Sequence, residues 1–174
     1  MRVKKFVEKI FLERLIFNYL NHSTMHYSTD TLLRRQQIVD VVTQLFIQTD
    51  NRNWLMVEKC FADNVELDMT SLTGGEPETL TPQEITARWD ENLRDLMALH
   101  HQVGNFVVDI HGTDYAHVFC YGTAYHFKPN ESGRNTRTFV GSYDFDLERG
   151  SDDLWRITSF WFNCKFVEGN VDLK

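Results

Sequence analysis

Cysteine is scarce in this 174-residue chain, and the three that occur, Cys60, Cys120 and Cys164, are widely spaced. An odd number of cysteines without a C-x-x-C pair indicates neither a disulfide framework nor a thiolate metal site. The sequence therefore favours a reducing, cytoplasmic setting.

Basic residues are also few: 18 lysines and arginines face 25 aspartates and glutamates, which gives a net charge of -7. No cluster of lysine and arginine follows residue 35. Because a nucleic-acid partner requires a basic face, this class of partner is not expected.

Long apolar runs are missing. Residues 1–20 place apolar side chains at helical spacing, but charged residues such as Glu8, Lys9 and Glu13 interrupt them, so the segment fits neither a secretory signal nor a membrane span. It predicts a cationic amphipathic helix that contacts a membrane surface, packs on the domain or a partner, or extends a chain that starts at Met25. We assign residues 1–29 to this extension and a linker, and residues 30–174 to one domain.

Aromatic residues, by contrast, are plentiful: they make up 13% of the chain, and 13 of them are phenylalanines. A domain of this length buries roughly 70% of the surface that its unfolded chain exposes. The core, or a pocket within it, is therefore expected to be rich in rings.

The order of elements predicts an α+β fold. Residues 29–50 and 51–62 have helical spacing, residues 63–70 read as a strand, and residues 81–99 form a third helix that opens with a capping box. Everything after about residue 100 is strand-like, in four long segments. Helices followed by long antiparallel strands indicate helices packed on one face of a sheet.

Alternation within the strands predicts which residues share a face. In the segment "YAHVFCYGTAYHF" one face is nearly bare and ends at His126, so that this imidazole is expected to point into a hollow. In the last strand Trp155, Ile157, Ser159, Trp161 and Asn163 share a face, which adds an indole and an amide to that hollow. The opposite, outer face is expected to carry Tyr115, Phe119, Tyr121, Phe139, Tyr143, Phe160 and Phe162. An aromatic face of this size needs a cover, so we expect a homodimer or homotrimer through it.

Three segments, "DNRNWLMVEKCFADNVELD", "LHHQVGN" and "LWRITSFWFNCKFVEGN", together with the element order, resemble the SnoaL-like branch of the nuclear transport factor 2-like superfamily. The resemblance implies a cone-shaped roll, in which a strongly curved, mostly antiparallel sheet wraps three helices and encloses a pocket. The superfamily includes scytalone dehydratase, bile-acid dehydratases, polyketide cyclases, ketosteroid isomerase, small subunits of ring-hydroxylating dioxygenases and non-catalytic binding proteins.

The resemblance also implies site residues. Asp50 in "DNRNW" is similar to the aspartate that holds a catalytic histidine, and His101 in "LHHQVGN" is similar to that histidine. His126 matches the second pocket histidine of scytalone dehydratase, Asn163 its late-strand asparagine, and Asp68 the base of ketosteroid isomerase. The tyrosines that polarise the substrate carbonyl in dehydratases are replaced: Leu45, Thr49 and Met69 occupy their places.

The chemistry of such a site assigns roles to these residues. Loss of water beta to a carbonyl needs a base, a proton donor for the leaving hydroxyl and a group that stabilises the enolate. We expect His101, oriented by Asp50, to be the base and His126 to be the acid. Asn163, Asp68, Trp161 and Met69 are expected to contact the substrate. The alternatives are a hydrogen-bonded boundary role for His101 and a strand-capping role for Asp68.

No metal or cofactor is expected, because the pocket candidates His101 and His126 stand in no H-x-H or H-x-x-x-H spacing and the sequence has no glycine-rich phosphate loop. The sequence thus favours a dehydratase or isomerase that acts on a small, apolar, oxygenated molecule, polyketide or steroid-like. The alternatives are a non-catalytic small-ligand-binding protein of the same fold and a small subunit of a ring-hydroxylating dioxygenase.

Overall fold

The computed structural model describes residues 28–173, and contacts divide the chain into two units, Met1–Arg34 and Arg35–Lys174. The amphipathic helix predicted for residues 1–20 lies outside the described residues, and the boundary placed after residue 29 stays a prediction. In the described part of the first unit, Asp30 and Arg34 form an ion pair of 2.8 Å one helical turn apart. None of the helices described is both long and apolar enough to span a bilayer.

The helices of the described residues come before the long strands, as predicted. The burial of α1 recurs with helical period at Ile38, Val42, Leu45, Phe46 and Thr49. The helix bounds are α1 Thr29–Asp50, α2 Trp54–Glu58, α3 Thr70–Thr73 and α4 Pro82–Leu93.

Helix α4 begins and ends for local reasons. At its start Thr81 and Glu84 form the predicted capping box, with Pro82 at the first helical position. The sequence predicted a helix to residue 99, but it ends at Leu93. The carbonyl of Leu93 and that of Leu96 accept hydrogen bonds from the guanidinium of Arg52, at 3.0 Å and 2.6 Å. Arg52 therefore ties the chain just after α1 to the segment that leads into the next strand.

Six strands form one mixed sheet in the order β2-β1-β6-β5-β4-β3. All neighbours are antiparallel except β1 and β6, which are parallel. This confirms the α+β class with a mostly antiparallel sheet; β2 and α3 were not predicted because they are too short for a periodic pattern. The strand bounds are β1 Phe61–Asp68, β2 Glu78–Leu80, β3 Ala98–His111, β4 Tyr115–Phe127, β5 Thr136–Arg149 and β6 Trp155–Gly169.

The bare face of β4 lies against the core, as expected. Ala116, Val118 and Cys120 are completely buried, and His126 is buried at the end of the same face. The space beside Gly122 is occupied by an aromatic ring, since a Cβ added there would overlap Cε2 of Tyr143. Small residues on β4 therefore make room for large residues on β5.

The face predicted for β6 is wrong beyond Ile157. Leu147 of β5 pairs with Ile157, whereas the preceding Asp146 pairs with Ser159, so that Thr158 is an extra residue in β6. Such a bulge reverses the alternation of the residues that follow it. Consequently Phe160 and Phe162 point into the core, and Trp161 and Asn163 lie on the outer face.

The outer face is correspondingly less aromatic than the sequence predicted. Tyr143, Phe160 and Phe162 belong to the buried core, and Phe139 packs against it. The aromatic residues that the register leaves on the outer face are Tyr115, Phe119, Tyr121, Tyr125, Phe127, Trp161 and Phe166.

A charged cluster also lies on this outer face. The ring of His117 is 2.9 Å from Asp146 Oδ1 through Nδ1 and 3.4 Å from Asp144 Oδ1 through Nε2. Tyr115 donates a hydrogen bond of 2.7 Å to the same oxygen of Asp146. Hydrogen bonds to Asp144 and Asp146 raise the pKa of His117 to about 9, against the opposing effect of burial. His117 is thus a structural imidazolium near neutral pH.

This cluster is expected to make stability depend on pH. Because the pKa of His117 rises from 6.5 in the unfolded chain to about 9 in the folded one, its contribution is complete below pH 6.5 and is lost as the pH rises towards 9. We expect the free energy of unfolding to fall by about 1–2 kcal/mol over this range. Urea titrations of the native chain and of His117→Gln test this. The expectation is wrong if the variant loses as much stability as the native chain, and His111→Gln is the matched control.

Candidate active site

Asp50 and His101 meet where the first helix ends and the third strand begins. Asp50 is the last residue of α1, and His101 is the fourth residue of β3. Asp50 Oδ1 lies 2.6 Å from His101 Nδ1, and Asp50 Oδ2 accepts the backbone N–H of His101 at 2.8 Å. One carboxylate therefore holds both the ring and the main chain of the histidine.

This arrangement fixes the tautomer of His101. An ionised carboxylate only accepts hydrogen bonds, so Nδ1 carries the proton and Nε2 keeps its lone pair. Phe46 stacks on the ring, with centroids 5.2 Å apart and planes inclined by 28°. The side chains of His101 and Asp50 remain 11% and 17% exposed, so the pair is largely shielded but still reachable. A basic nitrogen of fixed orientation is the result.

His126 is the second imidazole of the site. Its ring centroid is 6.5 Å from that of His101 and 5.0 Å from that of Phe139. Its Nδ1 lies 3.2 Å from an Nη of Arg137. Burial, then the positive charges of Arg137 and of His101 when it is protonated, lower the pKa of His126 to about 3. His126 is therefore a neutral ring near neutral pH, and not the imidazolium that a cationic acid would need.

Tyr143 is a residue of this region that the sequence reasoning missed, because it was placed on the outer face. Its cross-strand partner on β4 is Cys120, and its ring extends over Gly122. Gly122 lies between Cys120 and the part of β4 that pairs with His101. The ring is 4.8 Å from that of Phe46, which in turn stacks on His101. Burial raises the pKa of its phenol, so the hydroxyl keeps its proton. In the sequence, the small residues of β4 opposite the large residues of β5 could have indicated that Tyr143 lies on the inner face.

Two predicted substrate contacts lie away from the dyad. Asn163 is exposed and donates a hydrogen bond of 2.9 Å to Asp144 on the outer face. Trp161 pairs with the same aspartate and shares that face. The bulge at Thr158 is the reason, because it turns both side chains to the face opposite the core.

The remaining two predicted contacts are at the end of β1. Asp68 Oδ1 accepts hydrogen bonds from the backbone N–H and the hydroxyl of Thr70, at 2.8 Å and 2.6 Å, and so stabilises the turn into α3. Met69 is half-buried and packs against the core. The hydrogen bonds of Asp68 fit the strand-capping alternative.

Other reactive groups are less well placed. Burial raises the pKa of Cys60 to about 11 and that of Cys120 to about 12, so both thiols are protonated. Within residues 28–173, no three histidine, cysteine or acidic side chains are grouped to share a metal ion. A surface hollow of about 550 Å³ lies beside Glu58 and Arg156, and none of the predicted site residues lines it.

Comparison with known proteins identifies the family. The family model of the SnoaL-like domain matches residues 30–160, well over half of the chain. This chain belongs to the SnoaL-like domain family. The resemblance seen in the sequence is confirmed, and the dyad lies within the matched SnoaL-like region.

Solved structures share the SnoaL-like fold. The Kfla4162 protein from Kribbella flavida is 24% identical, with a TM-score of 0.73 over 77% of this chain and 92% of its own. A scytalone dehydratase candidate from Novosphingobium aromaticivorans is 14% identical, with a TM-score of 0.71 over 82% of this chain and 92% of its own. Hexachlorocyclohexane dehydrochlorinase LinA-type3 from Novosphingobium barchaimii is 15% identical, with a TM-score of 0.66 over 82% and 94%. No curated protein matches the sequence. At these identities the likeness shows the fold.

Proposed function

We propose that this protein is a cofactor-independent enzyme that removes a proton beside a carbonyl group of a small, mostly apolar molecule, polyketide or steroid-like, and thereby dehydrates or isomerises it. One observation carries the proposal: Asp50 Oδ1 lies 2.6 Å from His101 Nδ1, while Oδ2 holds the backbone N–H of His101. Asp50 thus holds the ring of His101 in one orientation, and such preorganisation is what a general base requires.

In the proposed reaction, the proton that His101 removes from the substrate is returned to it or to the leaving group. The lone pair of His101 Nε2 takes the proton alpha to the carbonyl, and the C–H electron pair moves into an enolate. In a dehydration the enolate re-forms the carbonyl, the beta hydroxyl leaves, and the proton on His101 converts it to water. In an isomerisation the same proton returns to the gamma carbon. Asp50 stabilises the imidazolium between the two steps.

We assign the stabilisation of the enolate oxygen to neutral hydrogen-bond donors. His126 is an uncharged imidazole beside His101, and Tyr143 is a protonated phenol beside Phe46. A neutral ring N–H or a phenol can donate a hydrogen bond to an oxygen that gains charge without itself losing a proton. In related dehydratases, tyrosines polarise the substrate carbonyl, and in this chain Leu45, Thr49 and Met69 occupy their places. We assign the role of those tyrosines to the two neutral donors.

Deuterium exchange tests the proposal without a known natural substrate. The beta-hydroxy ketone formed from benzaldehyde and acetone is offered in heavy water, and NMR follows its alpha protons while absorbance follows the conjugated enone. A beta,gamma-unsaturated ketosteroid tests the isomerisation. We expect the native chain to accelerate exchange or product formation and His101→Ala to abolish the acceleration. If neither ketone exchanges a proton faster than in buffer, the enzymatic proposal fails.

A non-catalytic binding protein is the second candidate, and one observation favours it. Leu173 is buried to 2% exposure against Leu96 and Leu99, and Leu99 is the cross-strand partner of His126. The end of the described chain therefore packs beside the imidazole pair. In this case the same ketones would raise the melting temperature of the protein while their alpha protons did not exchange.

We also propose that a second or third copy of the chain covers the outer face. Tyr121 and Tyr125 are 46% and 42% exposed on β4, and Trp161 lies on the same face. Light scattering at micromolar concentration is expected to give twice or three times the mass of the chain. Tyr121→Asp is expected to dissociate the assembly, whereas Leu154→Asp, which adds the same charge in the loop before β6, should not. A monomeric mass for the native chain would contradict this proposal.

A further inference from the structure

Arg137 has a distinctive position next to the second imidazole. It lies on β5 directly opposite His126 in the register, on the inner face of the sheet. One Nη is 3.2 Å from His126 Nδ1, the other donates a hydrogen bond of 3.3 Å to the carbonyl of Val171, and the guanidinium carbon is 5.1 Å from the centre of the Phe139 ring. The arginine is thus held on three sides.

The chemistry of this contact decides where the proton of His126 lies. A guanidinium is always charged, has only donors and never accepts a hydrogen bond. His126 Nδ1 must therefore supply a lone pair to it, and in a neutral imidazole the proton then lies on Nε2. We infer that Arg137 is a positioning residue that locks His126 as the neutral Nε2–H tautomer, so that the site presents one ring donor beside one ring base.

The charges around His126 favour the same state. The titratable and charged groups that face it are Arg137 from β5, His101 from β3 and Asp50 from α1. Asp50 is already bonded to His101, and no carboxylate among residues 28–173 lies within ion-pair distance of Arg137. The charge of Arg137 is therefore not neutralised locally, and a second positive charge on His126 would be repelled.

The inference rests on the proposed function only where it names a ligand class. His101 offers a lone pair at Nε2, and the locked His126 offers an N–H. A ligand that satisfies both has an acidic C–H next to a neutral acceptor oxygen, as in a ketone with a beta hydroxyl group. The tautomer itself is a property of the protein alone and can be measured without substrate.

Nitrogen NMR of the full chain labelled at histidine tests the tautomer, with His126→Asn identifying the resonances by their loss. In the native chain we expect Nδ1 of His126 to resonate as an unprotonated nitrogen and Nε2 as a protonated one, unchanged between about pH 5 and 8. In Arg137→Leu we expect a mixture of tautomers of a ring that stays neutral because it is still buried, and in Arg137→Lys the native pattern. Arg134→Leu is the matched control, because Arg134 lies in the loop before the same strand and bonds Gly169.

Two results would overturn the inference: an Nδ1–H or a titrating His126 in the native chain, or an unchanged His126 in Arg137→Leu. If Arg137→Leu does not fold, the native chain and Arg137→Lys still decide the tautomer. The link to function is read separately with the benzaldehyde–acetone ketone, where Arg137→Leu should lower kcat by about tenfold or more with little change in KM. A locked tautomer with no turnover by the native chain would support the inference and contradict the proposed function.

Discussion

His101→Ala is expected to lower the rate of proton removal from a ketone substrate by about 10²–10⁴-fold, the usual contribution of a positioned base. The variant removes the only ring atom that the dyad offers to a substrate proton. It should leave the fold intact, because the side chain is partly exposed and the backbone N–H that bonds Asp50 is retained. Deuterium exchange at the alpha carbon measures the loss directly.

His100→Ala is the matched control for this substitution. His100 is the neighbour of His101 in β3, but it is exposed and its ring stacks with Tyr125 of the outer face. The same chemical change one residue away should therefore leave exchange nearly unchanged. If both variants retain the native rate, the dyad is not the base; if both lose it, the effect comes from the strand and not from the imidazole.

Asp50→Asn separates two roles of Asp50: orienting the ring of His101 and stabilising its protonated form. An asparagine can still accept a hydrogen bond from the ring or from the main chain, but it has no charge to stabilise the imidazolium. We expect its rate to fall towards that of His101→Ala while the double variant falls no further, since residues that act as a unit are not additive. Equal folding of the variants, checked by circular dichroism, is required for this comparison.

The dyad could be predicted because "DNRNW" and "LHHQVGN" resemble segments of the SnoaL-like branch, and the resemblance implies that Asp50 holds His101. Asp50 is the last residue of a long helix with a clear apolar period, and His101 lies near the start of the strand that follows a helix whose start is marked by a capping box. The element order then brings them to one end of the sheet. The roles of Asp50, His101 and His126 remain predictions.

The misplacement of Trp161 and Asn163 has one physical cause, which is that bulges cannot be read from alternation. A single extra residue, Thr158, sends Trp161 and Asn163 to the outer face and brings Phe160 and Phe162 into the core. The strand β3 has a similar irregularity between Gly104 and Val107, which leaves its alternation interrupted as well. A period of two holds only between such points.

Gly122→Val is expected to lower the free energy of unfolding by about 3 kcal/mol, at the upper end of the usual effect of overpacking. The ring of Tyr143 fills the space that a Cβ at this position would need, so the ring or the strand has to move. Tyr143 is 5% exposed and stacks among Phe46, Phe145 and other core rings, which leaves it no free direction. Urea denaturation measures the change, and Gly104→Val, which meets nothing within 4 Å, is the matched control.

The double variant Gly122→Val/Tyr143→Leu shows whether the overlap is the cause. If the ring and the added side chain compete for one space, shortening Tyr143 should recover a substantial part of the stability lost by Gly122→Val, so that the two changes are coupled by about 1 kcal/mol or more. Simple additivity of the two losses would mean that the glycine is needed for another reason, such as the backbone of β4. Recovery of stability in the double variant would show that the small residues of β4 leave space for an aromatic ring of β5. The position of Tyr143 beside Phe46 and the dyad would then be a consequence of that fit.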